Sequence, residues 1–195
     1  MSNKIKARIT HLSSYLPETI LSNKDLEKMV DTSDDWIVTR TGIEERRIAN
    51  AEETSAHMGF FAAKKVLAKA NLEANKLDMI LVATMTPDHI TPSTAALIQS
   101  KLQAKQAAAC DVQAACSGFI YVLSIAKAYI ESGLYKNVLV VATEKMSAFI
   151  DYKDRNTCIL FGDGAGAVIV KDVPAGATVV GNPGKIIKLS ELGEQ

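Results

Sequence analysis

The sequence predicts an α/β fold in which a mostly parallel sheet lies between layers of helices, and three observations support this prediction. Apolar runs of strand length, such as Met79–Ala83 and 138–142, have no polar face, so both sides of the sheet must be covered. Segments with helical periodicity alternate with these runs. The chain has 195 residues, of which 48% are hydrophobic, and this is enough to bury a core.

Local signals place each element along the chain. Ser33 is a suitable N-cap for the second helix, whose first residues are acidic, and Gly42 is suited to end it. The next helix is longer and keeps its lysines on the solvent face. After an N-terminal strand, the predicted helices are 22–30, 34–41, 54 or 55 to 71, 92–102 and 117–132, and the predicted strands are Met79–Ala83, 107–113, 138–142, 157–160 and 165–170.

The last two predicted strands are joined by a glycine-rich segment, 161–164. We expect a tight, close-packed turn in which the glycines supply positive φ angles. A phosphate-binding loop is excluded, because no Lys-Ser or Lys-Thr pair and no helix start follow the glycines.

Composition excludes several classes of protein. Lys plus Arg and Asp plus Glu number 22 each, so the formal net charge is zero, and a dedicated nucleic-acid binder is not expected. No apolar run approaches the length of about 20 residues that spans a bilayer. The N-terminus lacks the pattern of a secretory signal, which predicts a cytoplasmic protein. The three cysteines lack metal-ligand spacing, so we expect free thiols and no metal site.

Cys116 is the residue best placed for chemistry. It follows an apolar strand and small residues and precedes a helix, which predicts a strand-to-helix turn. A thiol there faces the free N–H groups and the positive end of the helix dipole, both of which favour the nucleophilic thiolate. A second interpretation, a small buried hydrophobic residue, stays open for Cys116. It is the preferred one for Cys110 and Cys158, which fall within predicted strands.

Three long motifs follow one another along the chain: DTSDDWIVTRTGI at 31–43, QAACSGF at 113–119 and FGDGAGA at 161–167. With these motifs the chain closely resembles β-ketoacyl-acyl-carrier-protein synthase III over residues 1 to about 170. The resemblance implies a thiolase-like fold, of which this would be the N-terminal half of a layered αβαβα architecture, and a homodimer. It also implies condensation of acetyl-CoA, or another short acyl-CoA, with malonyl-acyl carrier protein to initiate fatty-acid synthesis, without a permanently bound cofactor.

The resemblance assigns roles to five residues. Cys116 matches the nucleophile that takes the acyl group from CoA as a thioester, and its own backbone N–H would form half of the oxyanion hole. Trp36 and Arg155 match the pair that sandwiches the CoA adenine. Thr32 and Arg40 match further contacts, to adenine and phosphate respectively. Without the resemblance, Trp36 reads as a core-facing helix residue and Arg40 as a cation favoured by the helix dipole.

Other family positions have no match or a changed residue. The histidine and asparagine that decarboxylate the malonyl donor belong to a second half of the family's fold, and His11, His57 and His89 match neither motif. We therefore expect full condensation to be incomplete in this chain. Thr91 stands where many members place a bulky aromatic residue against the acyl pocket, so the length and branching of the primer acyl group stay open.

The tail, residues 171–195, resembles the closing turns of hexapeptide-repeat acyltransferases. One or two such turns cannot bury a core, so the predicted division is a ketosynthase-like domain at 1–170 and a short tail that is no independent domain. A face normally covered by the second half would be exposed, which predicts association or a dimer through residues 110–113. The alternatives left open are a catalytically silent dimerisation fragment and a chimeric pseudogene product.

Overall fold

The computed structural model describes residues 6–173, 177–180 and 185–189, and its centre is a five-stranded sheet. Short 3₁₀ turns lie at Ala74–Lys76, Ala115–Ser117 and Met146–Ala148. The strands are β1 Lys6–Tyr15, β2 Thr19–Ser22, β3 Glu45–Ile48, β4 Met79–Ala83, β5 Ala108–Val112, β6 Asn137–Lys145, β7 Asp163–Val173, β8 Ala177–Val180 and β9 Lys185–Leu189, and the helices are α1 Asn23–Leu26, α2 Asp34–Thr41, α3 Ser55–Lys69, α4 Thr94–Leu102 and α5 Gly118–Glu131.

The central sheet has the strand order β1-β7-β6-β4-β5. Strand β4 pairs in parallel with both β5 and β6, whereas β7 is antiparallel to both β6 and β1. Four of the five strands therefore run in one direction and β7 alone is reversed. The predicted α/β fold with a mostly parallel sheet is confirmed.

Helices cover both faces of this sheet. Every residue of β4 is buried, as the continuous apolar run predicted. Ile80 and Val82 belong to the cluster that β4 forms with α3 and α4, whereas Met79 and Leu81 belong to the cluster formed with α5. Successive residues of one strand thus fill two different cores, one on each face of the sheet.

Two predictions about the last strand pair are wrong. Residues 157–160 form a turn instead of a strand. The cause is Asp154, whose backbone carbonyl accepts from the N–H groups of Thr157 and Cys158 while its carboxylate accepts from Asn156 N–H and the Thr157 hydroxyl. Cys158 is therefore buried in a turn and not in a strand.

The glycines of the 161–164 segment do not have positive φ angles, which corrects the second expectation. Close approach explains them instead. A Cβ added to Gly162 would lie 3.1 Å from the Arg47 carbonyl oxygen, and one added to Gly164 would lie 3.1 Å from Leu16 Cδ2. The segment is close-packed as expected, because there is no room for side chains.

Strands β2 and β3 form a separate antiparallel pair that the sequence analysis missed. In the sequence, α1 and α2 lie between β2 and β3, so the pair lacks the short turn that would indicate a hairpin. One buried residue of β3, Arg46, points into a third apolar cluster built from Leu26, Ile37, Cys158 and Ile159.

The tail begins inside a strand. Strand β7 continues to Val173, three residues past the predicted boundary at Val170, and β8 pairs with β9 in antiparallel fashion. The remaining tail residues, 174–176, 181–184 and 190–195, lie outside the described part of the chain. The division at residue 170 stays a prediction.

Candidate active site

The loops that follow β4, β5 and β6 leave the sheet at one edge, because these three strands are parallel. Ligands of α/β proteins bind at this carboxyl edge of the sheet. Cys116 lies there, in the 3₁₀ turn Ala115–Ser117 that joins β5 to α5. The predicted strand-to-helix turn is thus present, and the thiol is exposed, which contradicts the buried-residue interpretation of Cys116.

The backbone immediately before Cys116 is strained. Ala115 has a φ of 44°, and the other described non-glycine residues with positive φ, Asn71 and Gln103, follow the ends of α3 and α4, where this conformation is common. A left-handed L-residue costs about 1–2 kcal/mol. Such strain is typical of functional sites, and here it lies directly beside the exposed thiol of Cys116.

Ala115→Val is therefore expected to lower the free energy of unfolding by at least about 1 kcal/mol, because a β-branched residue tolerates positive φ worse than alanine does. The free energy of unfolding of Ala115→Gly is expected to be no more than about 0.5 kcal/mol below that of the wild type, since glycine adopts this conformation freely. Urea unfolding of both variants checks the prediction. Equal stability of the valine and glycine variants would contradict it.

Helix α5 starts close against the sheet. A Cβ added to Gly118, its first residue, would lie 3.1 Å from Ala83 Cβ at the end of β4. The N–H groups of Ser117 and Gly118 donate to the carbonyls of Ala114 and Ala115, which closes the turn around Cys116. Cys116 thus lies two residues before the first residue of α5, a helix of 14 residues. The positive end of the α5 dipole, at its N-terminus, favours negative charge there.

A second cluster brings together three of the four residues predicted to bind CoA. The guanidinium carbon of Arg40 lies 4.4 Å from the Trp36 ring centroid, and that of Arg155 lies 4.6 Å from it. Arg40 reaches the ring from the next turn of α2, whereas Arg155 comes from the turn at 152–160. An ion pair of 3.7 Å between Arg155 Nη1 and Asp31 Oδ2 lies beside the stack.

Polar atoms without partners occur in the two segments that form this stack. Thr32 Oγ1, Arg155 Nε and the Tyr152 hydroxyl are buried and have no hydrogen-bond partner within the described residues. Buried polar atoms in native proteins are almost always bonded. Thr32, the fourth predicted binding residue, directly precedes the N-cap Ser33 of the helix that carries Trp36.

Carboxylates that the sequence analysis did not single out hold the loops of the carboxyl edge. Glu144, near the end of β6, accepts from Met85 N–H at 2.9 Å and from the hydroxyls of Thr86 at 2.6 Å and Thr84 at 3.4 Å. These bonds tie the loop after β4 to β6. No motif signals Glu144, because its partners are assembled only by the parallel pairing of the two strands.

Asp163, the first residue of β7, also ties neighbouring segments to the sheet. Its buried carboxylate accepts from Ala49 N–H at 2.7 Å, from Ser147 N–H at 2.8 Å and from the Ser147 hydroxyl at 2.6 Å. The position of Asp163 between Gly162 and Gly164 was the sequence signal for this role. An acid flanked by close-packed glycines has the backbone of other segments within reach.

His57 lies among aromatic rings, and His89 lies at the surface. The His57 ring lies 4.8 Å from that of Phe61 and 6.2 Å from that of Tyr15, and His89 is exposed. Within the described residues, no three His, Cys, Asp or Glu side chains form a group that could hold a metal ion. The helices of that same part of the chain are too short or too polar to cross a membrane.

The comparisons with known proteins agree on one family. A family model described as 3-oxoacyl-[acyl-carrier-protein] synthase III matches residues 110–185. The β-ketoacyl-[acyl-carrier-protein] synthase III of Caldanaerobacter subterraneus is 54% identical over 182 residues, which cover 93% of this chain and 55% of the relative. That of Bacillus pumilus is 51% identical over 194 residues, covering 96% and 62%.

Solved structures lead to the same family. The 3-oxoacyl-[acyl-carrier-protein] synthase III of Aquifex aeolicus superposes with a TM-score of 0.85 at 54% identity, covering 89% of this chain and 56% of that one. The priming β-ketosynthase of the R1128 polyketide pathway has a TM-score of 0.85 at 42% identity, covering 91% and 54%.

The chain spans little more than half the length of the relatives it matches. The family-model match includes the turn of Cys116 and continues past Val170 into the tail. Motifs, fold and sequence identity all point the same way. The chain is similar to the β-ketoacyl-acyl-carrier-protein synthase III family over most of its length and has the thiolase-like fold of these relatives.

Proposed function

We propose that this chain takes a short acyl group from acyl-CoA onto Cys116, which is the first step of ketosynthase III chemistry. The observation that carries the proposal is the exposed Cys116 thiol at a strained turn on the carboxyl edge of the sheet, inside the matched motif. The thiolate attacks the thioester carbonyl, the bond to the CoA sulfur breaks, and the CoA thiolate leaves and takes up a proton.

The first turn of α5 supports this step electrostatically. Charge develops on the carbonyl oxygen as the tetrahedral intermediate forms, and the Cys116 backbone N–H is the proposed donor to it. The positive end of the α5 dipole favours both the thiolate and this oxyanion. The residues directly before Cys116, Ala114 and Ala115, are small, so their side chains crowd the acyl group little.

The CoA adenine is proposed to bind between Trp36 and Arg155, with Thr32 beside the base and Arg40 at the phosphates. The Arg155 guanidinium lies 4.6 Å from the Trp36 centroid, so it must move outward to admit a base. The Arg155 side chain is 38% exposed and its ion pair with Asp31 is a weak surface pair, so this pair opposes the movement little. A base between an aromatic ring and a guanidinium gains two stacking contacts.

Binding can be tested with Trp36 itself, the single tryptophan of the chain. Titration with CoA is expected to change its fluorescence saturably. Arg155→Ala is expected to weaken CoA binding about 10- to 100-fold, because one stacking partner is worth about 1–3 kcal/mol. Lys153→Ala removes an exposed cation from the same turn and is the matched control. Equal affinities of the two variants would contradict the proposed adenine site.

Condensation with malonyl-acyl carrier protein is the second step that the family implies. The histidine and asparagine of that step match no residue of the printed sequence, so the proposal for this chain stops at acyl transfer. Acyl carrier protein is the proposed partner of the complete reaction. We place the protein in the cytoplasm, with acyl-CoA as a substrate and no permanently bound cofactor.

A homodimer is proposed through β5. Within the described residues this strand is an edge of the sheet, with Cys110 exposed, and an unpaired strand edge is a template for a second strand. Ile120 and Tyr121 of the adjacent α5 are 59% and 54% exposed, which adds apolar surface. A catalytically silent dimerisation fragment would use the same surface, and uptake of an acyl group distinguishes it from the transferase.

A further inference from the structure

Arg46 is a buried cation without a carboxylate partner. Arg46 is 4% exposed, and among the described residues no acid lies within ion-pair distance of its guanidinium. Its guanidinium is held by uncharged acceptors only. Burying a charge is costly unless hydrogen bonds replace its water.

One side of the Arg46 guanidinium binds the turn that carries Arg155. Nε donates to the Ile159 carbonyl at 2.9 Å, and Nη2 donates to the same oxygen. Ile159 and Cys158 are buried in the cluster that surrounds Arg46. The turn at 152–160 is therefore anchored to β3 four residues from Arg155.

The other side of the guanidinium binds the segment that carries Trp36. Nη1 donates to Asn23 Oδ1, and Asn23 is 1% exposed. Asn23 Nδ2 in turn donates to Asp34 Oδ1 at 2.7 Å and to the Ile43 carbonyl at 2.8 Å. Asp34 is the first residue of α2 and Ile43 follows its C-cap, so one amide holds both ends of the helix that presents Trp36.

We propose that Arg46 is a positioning residue that fixes the spacing and orientation of Trp36 relative to Arg155, and thereby the affinity for the nucleotide part of acyl-CoA; this rests on the proposed function. Arg46 acts through Ile159 and Asn23. The planar guanidinium presents its donors in a rigid fork, so both partners are held in one fixed relation. A lysine ammonium is a single point and does not span the two acceptors.

Arg46→Lys is the direct test, and Arg47→Met is its matched control. Arg47 is the next residue of β3, half-exposed, and bonds Glu45 and the Pro17 carbonyl. We expect Arg46→Lys to weaken CoA binding about tenfold, the loss of roughly one charge-assisted hydrogen bond. The acylation rate of Cys116 at saturating acetyl-CoA is expected to stay within about twofold, because the variant alters binding and not the nucleophile. Arg47→Met is expected to change neither quantity.

Trp36 fluorescence without CoA keeps the test independent of the proposed function. Arg46→Lys is expected to make Trp36 more accessible to acrylamide, because Arg155 leaves the ring, whereas Arg47→Met leaves it unchanged. If wild-type protein binds no CoA, acyl transfer fails as the function while this readout still decides the role of Arg46. Unchanged acrylamide quenching in Arg46→Lys would overturn the proposal.

Two further variants separate positioning from stability. Leu26→Ala removes buried apolar volume from the cluster around Arg46 but leaves its hydrogen bonds intact. At a temperature where every variant is folded, it is expected to keep the wild-type affinity for CoA and the wild-type quenching. Losses in Leu26→Ala as large as those in Arg46→Lys would overturn the proposal. If Arg46→Lys does not fold, Asn23→Ser cuts the connection to α2 alone and is expected to give the same increase in quenching.

Discussion

Cys116→Ala is expected to take up no acyl group from acetyl-CoA, whereas Cys110→Ala takes up one per chain as the wild type does. Only a thiolate attacks a thioester efficiently. Although Cys110 is exposed as a residue, partial desolvation of its thiol and the neighbouring Asp111 charge raise the pKa of that thiol, and burial raises the pKa of the Cys158 thiol. Cys116 is exposed and stands at the start of α5, so we expect it to be the thiol that reacts.

The measurement is mass spectrometry of each variant after incubation with acetyl-CoA, followed by peptide mapping of the label. Circular dichroism establishes that the two alanine variants are folded. Acetylation that persists in Cys116→Ala, or a label mapped to Cys110, would show that the reaction is nonspecific chemistry of an accessible thiol. The assignment of Cys116 as nucleophile would then be wrong.

Asp163→Ala is expected to lower the free energy of unfolding by about 3–5 kcal/mol. The buried carboxylate accepts from two backbone N–H groups and one hydroxyl, and its removal leaves these donors of Ala49 and Ser147 without partners. Each unsatisfied buried group costs about 1–3 kcal/mol. This is a large part of the 5–15 kcal/mol that typically stabilises a domain.

Urea unfolding checks this prediction, with Asp35→Ala as the control. Asp35 is an exposed carboxylate in the first turn of α2, and its removal costs no more than about 1 kcal/mol. A loss below about 1 kcal/mol in Asp163→Ala would mean that the acid does not hold the segments of Ala49 and Ser147 against β7.

Elements with strong local signals could be predicted from the sequence. Met79–Ala83 is a strand with the predicted bounds, because a fully buried strand needs a continuous apolar run. Helix α2 has the predicted caps: the Ser33 hydroxyl accepts from Trp36 N–H at 3.1 Å, and Gly42 has a φ of 71°. The turn that carries Cys116 could also be predicted from the sequence, since a strand, small residues and a helix follow one another directly in the chain.

Features made by distant segments could not be predicted in this way. The β2–β3 pair closes across two helices, and the 157–160 turn depends on the side chain of Asp154, which competes with strand pairing. The stack of Arg155 on Trp36 joins segments that meet only in three dimensions. Only the family resemblance placed these two residues together, and no sequence signal indicated that Arg46 connects them.

The most direct test of the central claim is the uptake of acetyl groups by the wild-type chain as a function of acetyl-CoA concentration, followed by intact-protein mass spectrometry. The account predicts saturation at one acetyl group per chain, with half-saturation shifted to higher concentration in Arg155→Ala. It is contradicted by a chain that melts cooperatively, and is therefore folded, yet takes up no acetyl group at any concentration.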